Sequence, residues 1–184
     1  MYAAQLQFRR VRVTKTACDT LQIDLSDGTF AGKNLSVSNN IAYKNEFGAT
    51  EFETITAKSL DITSSDGSIT LAHCDVDSVK IKNEFGRITA DNLVSSKMDI
   101  DANDGDINLN GTFSGQTVIK NDFGNVTWTT SKPKEDYTYD LSTFFGSITV
   151  DDSKGKNRVQ GSFSSENTLH ITNSDGSIHV NFAQ

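Results

Sequence analysis

The chain has 184 residues, enough for one domain, with 17 basic and 24 acidic side chains and a net charge of −7. This balance argues against a nucleic-acid partner and against docking on anionic lipid, because both need clustered basic residues. No run of 18 apolar residues occurs, so we expect no membrane span. Two cysteines, Cys18 and Cys74, are too few for a disulfide framework.

Residues 1–20 predict a degenerate turn that caps the repeats that follow. Val11 and Val13 match apolar columns found further along the chain, while Arg9 stands where later units carry glycine and Phe8 stands where they carry phenylalanine. Terminal repeats are often atypical because they cover an otherwise open core. These first residues lack the apolar core of a signal peptide, so any export signal is expected outside this sequence.

From residue 21 onward, regularly spaced glycines organise the chain. Their spacings are 20, 19, 19, 19, 19, 22 and 30 residues, between Gly28, Gly48, Gly67, Gly86, Gly105, Gly124, Gly146 and Gly176. Apolar residues recur 7 and 5 positions before each glycine and 2 and 4 positions after it, and polar residues alternate with them. This alternation is typical of strands with one buried face, and glycine suits the corners between them.

Two all-β folds fit this pattern. A hairpin array would pair the two strands of each unit across its glycine, whereas a β-solenoid would coil once per unit and stack each unit on the last. The constant spacing favours the solenoid, because hairpin loops usually drift in length. The sequence therefore predicts one domain over residues 1–184, a single-stranded parallel β-helix with about 19 residues per turn and about nine turns.

Two insertions interrupt the period. Three extra residues fall in 129–138, which contains Pro133, and eleven fall in 151–167, which is rich in Ser, Gly, Lys and Asp. We predict inserted loops at both places, the second one a protruding loop or hairpin.

The units also alternate with a period of 38 residues. Lys44-Asn45-Glu46-Phe47-Gly48 recurs at 82–86 and, with Asp for Glu, at 120–124, while the units between them carry Asp-Gly corners. In a stack this alternation places like charges about 10 Å apart, close to a Debye length, rather than on adjacent strands.

The phenylalanines at the corners are the candidate interaction surface, namely Phe47, Phe85, Phe123 and Phe145. One interpretation is an exposed aromatic strip that stacks on sugars or packs on a partner. The other is that these side chains fold over the corners and seal the core.

No catalytic, metal or cofactor site is predicted. The acidic run Asp99–Asp106 does not match the ligand spacing of a calcium loop. Asp66, Asp104 and Asp175 could serve a polysaccharide-cleaving enzyme, but they recur with the corners, as a turn requirement would produce. The three histidines, His73, His170 and His179, are expected at the surface.

Three units carry a family resemblance: Leu60–Leu71 (LDITSSDGSITL), Asp140–Val150 (DLSTFFGSITV) and Leu169–Val180 (LHITNSDGSIHV). They resemble the repeats of a bacterial adhesin family, a domain of unknown function built from β-helix (solenoid) repeats. The resemblance extends from Leu21 to Phe182. It implies a cell-envelope or extracellular location, no established enzymatic activity and an unknown protein or glycan partner at the cell surface.

The leading hypothesis is a non-catalytic cell-envelope β-solenoid that presents an interaction or adhesion surface. One alternative is a self-assembling scaffold that polymerises through the ends of the solenoid, since exposed strand edges promote stacking. A polysaccharide-active β-helix enzyme is the second alternative.

Overall fold

The computed structural model describes residues 2–5, 10–161 and 165–184, which form an all-β protein with one 14-stranded sheet. Its long strands are β2 (Arg10–Asp27), β3 (Thr29–Phe47), β4 (Thr50–Asp66), β5 (Ile69–Phe85), β6 (Ile88–Asp104) and β7 (Ile107–Phe123). The shorter strands are β1 (Tyr2–Gln5), β8 (Val126–Pro133), β9 (Tyr137–Phe145), β10 (Ile148–Val150), β11 (Ser153–Gly155), β12 (Arg158–Gly161), β13 (Asn167–Asp175) and β14 (Ile178–Ala183).

Each long strand is one complete turn of a parallel β-solenoid. Strands β2 to β7 pair in parallel with their neighbours in sequence, and residues 19 apart are partners from β4 onward. The extra residue of β3 is absorbed by a shift in register between Val37 and Asn40. The predicted parallel solenoid is confirmed and the hairpin array is wrong. About six regular turns are present, and the prediction of about nine is not confirmed, because the C-terminal segments are not full turns.

The turns bend at two columns of unusual backbone. The first is the column of corner glycines, with φ between 114° and 144° in seven of the eight. The second lies six residues further along and has left-handed φ values near 50–58° at Lys15, Asn34, Thr54, His73 and Asn92. Non-glycine residues rarely adopt this conformation, so the residue types at these positions did not predict the second corner.

The last unit of the chain does not stack last. Strand β13 pairs in parallel with both β7 and β9, and β14 pairs in parallel with both β8 and β10. Residues 167–183 therefore form a rung inserted between two units that precede them in sequence. The expectation that each unit stacks on the one before it is wrong at this end.

The two predicted insertions build the C-terminal end of the solenoid. In the first, a 3₁₀ turn (Lys134–Asp136) connects β8 to β9. The second does not protrude as a loop over its described part, because β11 and β12 pair antiparallel with β10 and β9. These two strands cover backbone groups that would otherwise be an open sheet edge. Residues 162–164 of this insertion lie outside the described ranges.

The core runs the length of the stack and consists of the inward columns predicted from the sequence. Ile62, Ile69 and Ile81 are fully or almost fully buried in its middle. Aromatic rings pack at both ends, with Phe30, Tyr43 and Phe52 near the N-terminus and Phe113, Trp128, Tyr137, Tyr139 and Phe182 near the C-terminus.

At the N-terminal end, β1 pairs in parallel with Leu21–Asp24 and extends the ladder by part of a turn. The predicted matches at Phe8 and Arg9 lie outside the described residues. Val11 and Val13 are partly buried against the core. With Leu21, Ile23 and Leu25 they line a cavity of about 540 Å³ at this end of the stack.

Candidate interaction surface

The glycine corners form a ridge along one edge of the solenoid. We define the corner ridge as each corner glycine with the two residues before it and the one after it, which gives residues 26–29, 46–49, 65–68, 84–87, 103–106, 122–125, 144–147 and 174–177. Backbone hydrogen bonds of 2.8–3.0 Å continue the ladder through the corners. Eight rungs at ~4.8 Å spacing make the ridge about 34 Å long.

All four candidate phenylalanines point outward from this ridge. Their exposed fractions are 54% for Phe47, 52% for Phe85, 56% for Phe123 and 73% for Phe145. The interpretation that they seal the core is therefore wrong. Phe144, which was not among the predicted surface residues, is 74% exposed beside Phe145.

A column of small and polar side chains fills the space beneath the corners and leaves no room there for phenylalanine. It lies three residues before each glycine and comprises Leu25, Asn45, Ser64, Asn83, Ala102, Asn121, Asn173 and Thr143, all buried. Asn83 Nδ2 donates to the Gly86 carbonyl oxygen at 2.9 Å, and Asn173 Nδ2 donates to that of Gly124 at 2.9 Å. These amides fix the corner backbone that carries the phenylalanines.

These asparagines were not predicted as functional, although the repeated Lys-Asn-(Glu/Asp)-Phe-Gly motif contains three of them. Their role is visible only in space, where each amide group reaches the carbonyl of its own corner or of the adjacent one. Within the described part of the chain, the Oδ1 atoms of all four asparagines are buried without a hydrogen-bond partner. The column is therefore poor in alternative partners, which makes its donors hard to replace.

Phenylalanine and aspartate alternate strictly along the ridge. Read along the ladder, the residues directly before the glycines are Asp27, Phe47, Asp66, Phe85, Asp104, Phe123, Asp175 and Phe145. In sequence order Phe123 and Phe145 would be consecutive. The inserted rung places Asp175 between them, since Asp175 pairs with Phe123 on one side and Phe145 on the other. The out-of-order stacking therefore completes the alternation.

The ridge also carries charge of one sign. It holds eight acidic residues, Asp27, Glu46, Asp66, Glu84, Asp104, Asp106, Asp122 and Asp175, against the single basic residue Arg87. Eight negative charges and one positive charge give −7, which equals the net charge of the whole chain, while the remaining 16 acidic and 16 basic residues balance. The net acidity of the protein is thus confined to this one edge.

Arg87 is already engaged within the ridge. Its Nη2 lies 3.3 Å from Asp106 Oδ2, and Asp106 Oδ1 accepts a hydrogen bond of 2.9 Å from the Asn125 backbone N–H. The Asn125 side chain in turn accepts from the Ser177 backbone N–H at 2.9 Å. These bonds connect consecutive rungs beside the phenylalanine column.

The predicted separation of like charges holds on the face beside the ridge. Thr63 pairs with both Lys44 and Lys82, and Asp101 pairs with both Lys82 and Lys120. No two of these lysines are on adjacent strands, so their repulsion is limited by distance and by salt.

The other candidate residues do not converge on one site. Asp66, Asp104 and Asp175 are exposed on the ridge, and a phenylalanine-bearing rung separates each from the next. His170 and His179 are exposed, and His73 occupies the second corner column. Within residues 2–5, 10–161 and 165–184, no group of three or more His, Cys, Asp or Glu side chains is placed to hold a metal ion.

The two thiols are free and lie apart from the ridge. Cys74 is buried in the core, and burial raises its pKa to about 11. Cys18 is half-buried at the N-terminal end of the stack.

Comparison with known proteins gives one match, the family model described as Toastrack DUF4097, over residues 9–181. No curated protein and no solved structure matches the chain. None of the helices in the described ranges has the length and apolar character needed to cross a membrane.

Proposed function

The chain belongs to the Toastrack DUF4097 family, and on this premise we propose that it is a non-catalytic β-solenoid of the bacterial cell envelope, where the corner ridge binds a protein or glycan in the manner of an adhesin. The observation that carries the proposal is the row of four exposed phenylalanines on one edge. Aromatic side chains at such exposure favour contact with a partner because burying each one removes a large apolar area from water.

The geometry of the stack favours a binding role over a purely structural one for these residues. Their aromatic rings pack against none of the core rings, and the asparagine column already fills the space beneath the corners. A corner needs glycine but does not need phenylalanine before it, since aspartate occupies the same position on every second rung. The phenylalanines are therefore free to serve a partner.

The alternative of a scaffold that polymerises through its ends has less in its favour. At the C-terminal end, β11 and β12 pair antiparallel with β10 and β9, so a second copy could not continue the parallel ladder there without displacing them. Light scattering over a range of concentrations separates the two functions, since a scaffold grows with concentration and a binding module does not.

A polysaccharide-cleaving enzyme is also the weaker alternative. Glycosidases use two carboxyl groups that face one bound sugar, at separations up to about 9.5 Å. Asp66 and Asp104 stand two rungs apart, about 9.6 Å, on a convex edge with the Phe85 rung between them. A catalytic pair would be expected in a cleft that surrounds the sugar.

Binding of labelled protein to whole cells and to isolated cell-wall glycan of the organism that encodes it tests the proposal. The variant replaces Phe47, Phe85, Phe123 and Phe145 with serine. The matched control is Val94→Ser, because Val94 is an exposed apolar residue, 46% exposed, outside the ridge. We expect saturable binding that weakens at least tenfold in the ridge variant and is unchanged in the control. Equal binding by all three proteins, or no saturable binding, contradicts the proposal.

A further inference from the structure

We propose that the partner of the corner ridge is a basic polypeptide segment in an extended, polyproline II conformation, with a Lys or Arg at every third residue. This inference rests on the proposed binding function and specifies its ligand. Three properties of the ridge carry it: the sign of its charge, the alternation of Asp with Phe, and the length of the repeat.

The charge selects the class of partner. Eight carboxylates and one guanidinium line the ridge, and that guanidinium already pairs with Asp106. The remainder of the chain has no net charge. Such one-sided charge attracts a cationic partner and repels an acidic one, including acidic polysaccharides. A neutral glycan would gain nothing from the carboxylates.

The alternation of residue types suits cationic side chains in particular. Each phenylalanine has aspartates on both adjacent rungs, except Phe145 at the end of the ladder, whose one flanking aspartate is Asp175. A guanidinium or ammonium group placed over the ring faces a favourable quadrupole and lies within reach of a carboxylate at the same time. The aliphatic stem of the same side chain can cover part of the exposed ring.

The repeat length selects the conformation. Like residues on the ridge recur every second rung, about 9.6 Å, because the strand spacing is ~4.8 Å. A polyproline II segment has three residues per turn and rises ~3.1 Å per residue, so equivalent side chains recur every ~9.3 Å. Over the three intervals between the four phenylalanines, the accumulated mismatch is only about 1 Å.

Other regular conformations fit less well. Side chains on one face of a β-strand recur every ~6.7 Å or ~13.4 Å, and neither matches the ridge. Equivalent positions of a helix one heptad apart are ~10.5 Å apart, which accumulates a mismatch of nearly 3 Å over three intervals. A polyproline II segment also loses little conformational freedom on binding when it contains proline.

Isothermal titration with synthetic peptides tests this inference on the full chain. The probe is (Arg-Pro-Pro)₄, and the spacing control is (Arg-Pro-Pro-Pro)₄, which has the same four arginines at a longer repeat. The charge control is (Glu-Pro-Pro)₄. We expect (Arg-Pro-Pro)₄ to bind at least fivefold more tightly than the spacing control and the acidic peptide to show no binding. Affinity should fall as salt is raised.

Variants assign the binding to the ridge. We expect Phe85→Ser with Phe123→Ser, and separately Asp66→Asn with Asp104→Asn, to weaken binding of (Arg-Pro-Pro)₄ at least fivefold, while Val94→Ser leaves it unchanged. Only the aspartate variant should reduce the salt dependence, because the charges it removes are those that salt screens.

Several results overturn the inference. Equal affinity for both arginine peptides rejects the spacing argument, and equal affinity of the wild type and the ridge variants places the binding elsewhere. If neither peptide binds but binding to cells or cell-wall glycan still depends on the phenylalanines, the ridge has a different partner and the broader proposal stands. If cell binding is also independent of the phenylalanines, both proposals fail.

Discussion

Replacing Asn83 with aspartate tests whether the buried amide column holds the corner ridge in place. Asn83 is 3% exposed, and its Nδ2 donates to the Gly86 carbonyl oxygen at 2.9 Å. Aspartate has nearly the same shape, but its ionised carboxylate would oppose that carbonyl in a buried site. The folded variant avoids this repulsion by protonating the new carboxyl group, which can then donate a hydrogen bond.

The cost of that protonation sets the size of the effect. An unfolded aspartate has a pKa near 3.9, and each pH unit above it adds about 1.4 kcal/mol to the cost of keeping the group protonated. The expected loss of stability is therefore about 2 kcal/mol at pH 5.5 and about 5 kcal/mol at pH 7.5. Asn83→Ser, which introduces the residue that Ser64 already provides in the same column, should cost about 1 kcal/mol at both pH values.

The sign of the pH dependence follows from proton binding. Burial raises the pKa of the new carboxyl group in the folded state, so the folded variant keeps a proton that the unfolded chain releases. Stability then falls as the pH rises. Denaturant unfolding of wild type, Asn83→Asp and Asn83→Ser at both pH values measures this. A difference between the Asp and Ser variants that does not change with pH would refute the role given to the amide.

Three further changes probe the fold. Gly86→Ala should cost about 3 kcal/mol, because φ is +122° and the new Cβ would lie 2.4 Å from the Gly67 carbonyl oxygen, whereas Ser68→Ala should be neutral in denaturant unfolding. Deletion of residues 165–184 should abolish amide protection in β8–β10 and retain it in β3–β6, measured by hydrogen exchange; uniform loss contradicts the inserted-rung arrangement. Folded Cys74 should resist iodoacetamide at pH 8 while Cys18 reacts; equal labelling contradicts the buried thiol.

The regular part of the fold could be read from the sequence because each turn repeats the same local rules. Ile62, Ile81 and Ile100 fall at equal distances before their glycines, and the structure stacks them in one buried column. An alternation of period two, with a constant spacing, leaves few arrangements other than a parallel stack.

The C-terminal end could not be read in the same way. Nothing local in residues 167–183 distinguishes a last rung from an inserted one, since both make the same parallel pairs with their neighbours. The choice depends on contacts between units distant in sequence. The one clue was the pair of consecutive Phe-Gly corners at Phe123 and Phe145, which breaks the alternation that Asp175 restores in space.

The outward direction of the phenylalanines also required the structure. By the two-residue period they share the parity of the buried columns, so burial was a reasonable alternative. The corner reverses this parity, because the chain turns at the glycine and Asn45, Asn83 or Asn121 occupies the space beneath it. Turn geometry here prevails over the strand period.

Disulfide trapping of ridge neighbours tests most directly that the ridge is one continuous ladder completed by an inserted rung. In a chain with Cys18→Ala and Cys74→Ala, we expect the pair Phe145→Cys and Asp175→Cys to cross-link within the monomer. The pair Phe123→Cys and Phe145→Cys should not, because adjacent rungs place Cα atoms about 4.8 Å apart and alternate rungs about 9.6 Å, beyond the ~7 Å limit for a disulfide. Efficient cross-linking of residues 123 and 145, with none between 145 and 175, would contradict the inserted rung.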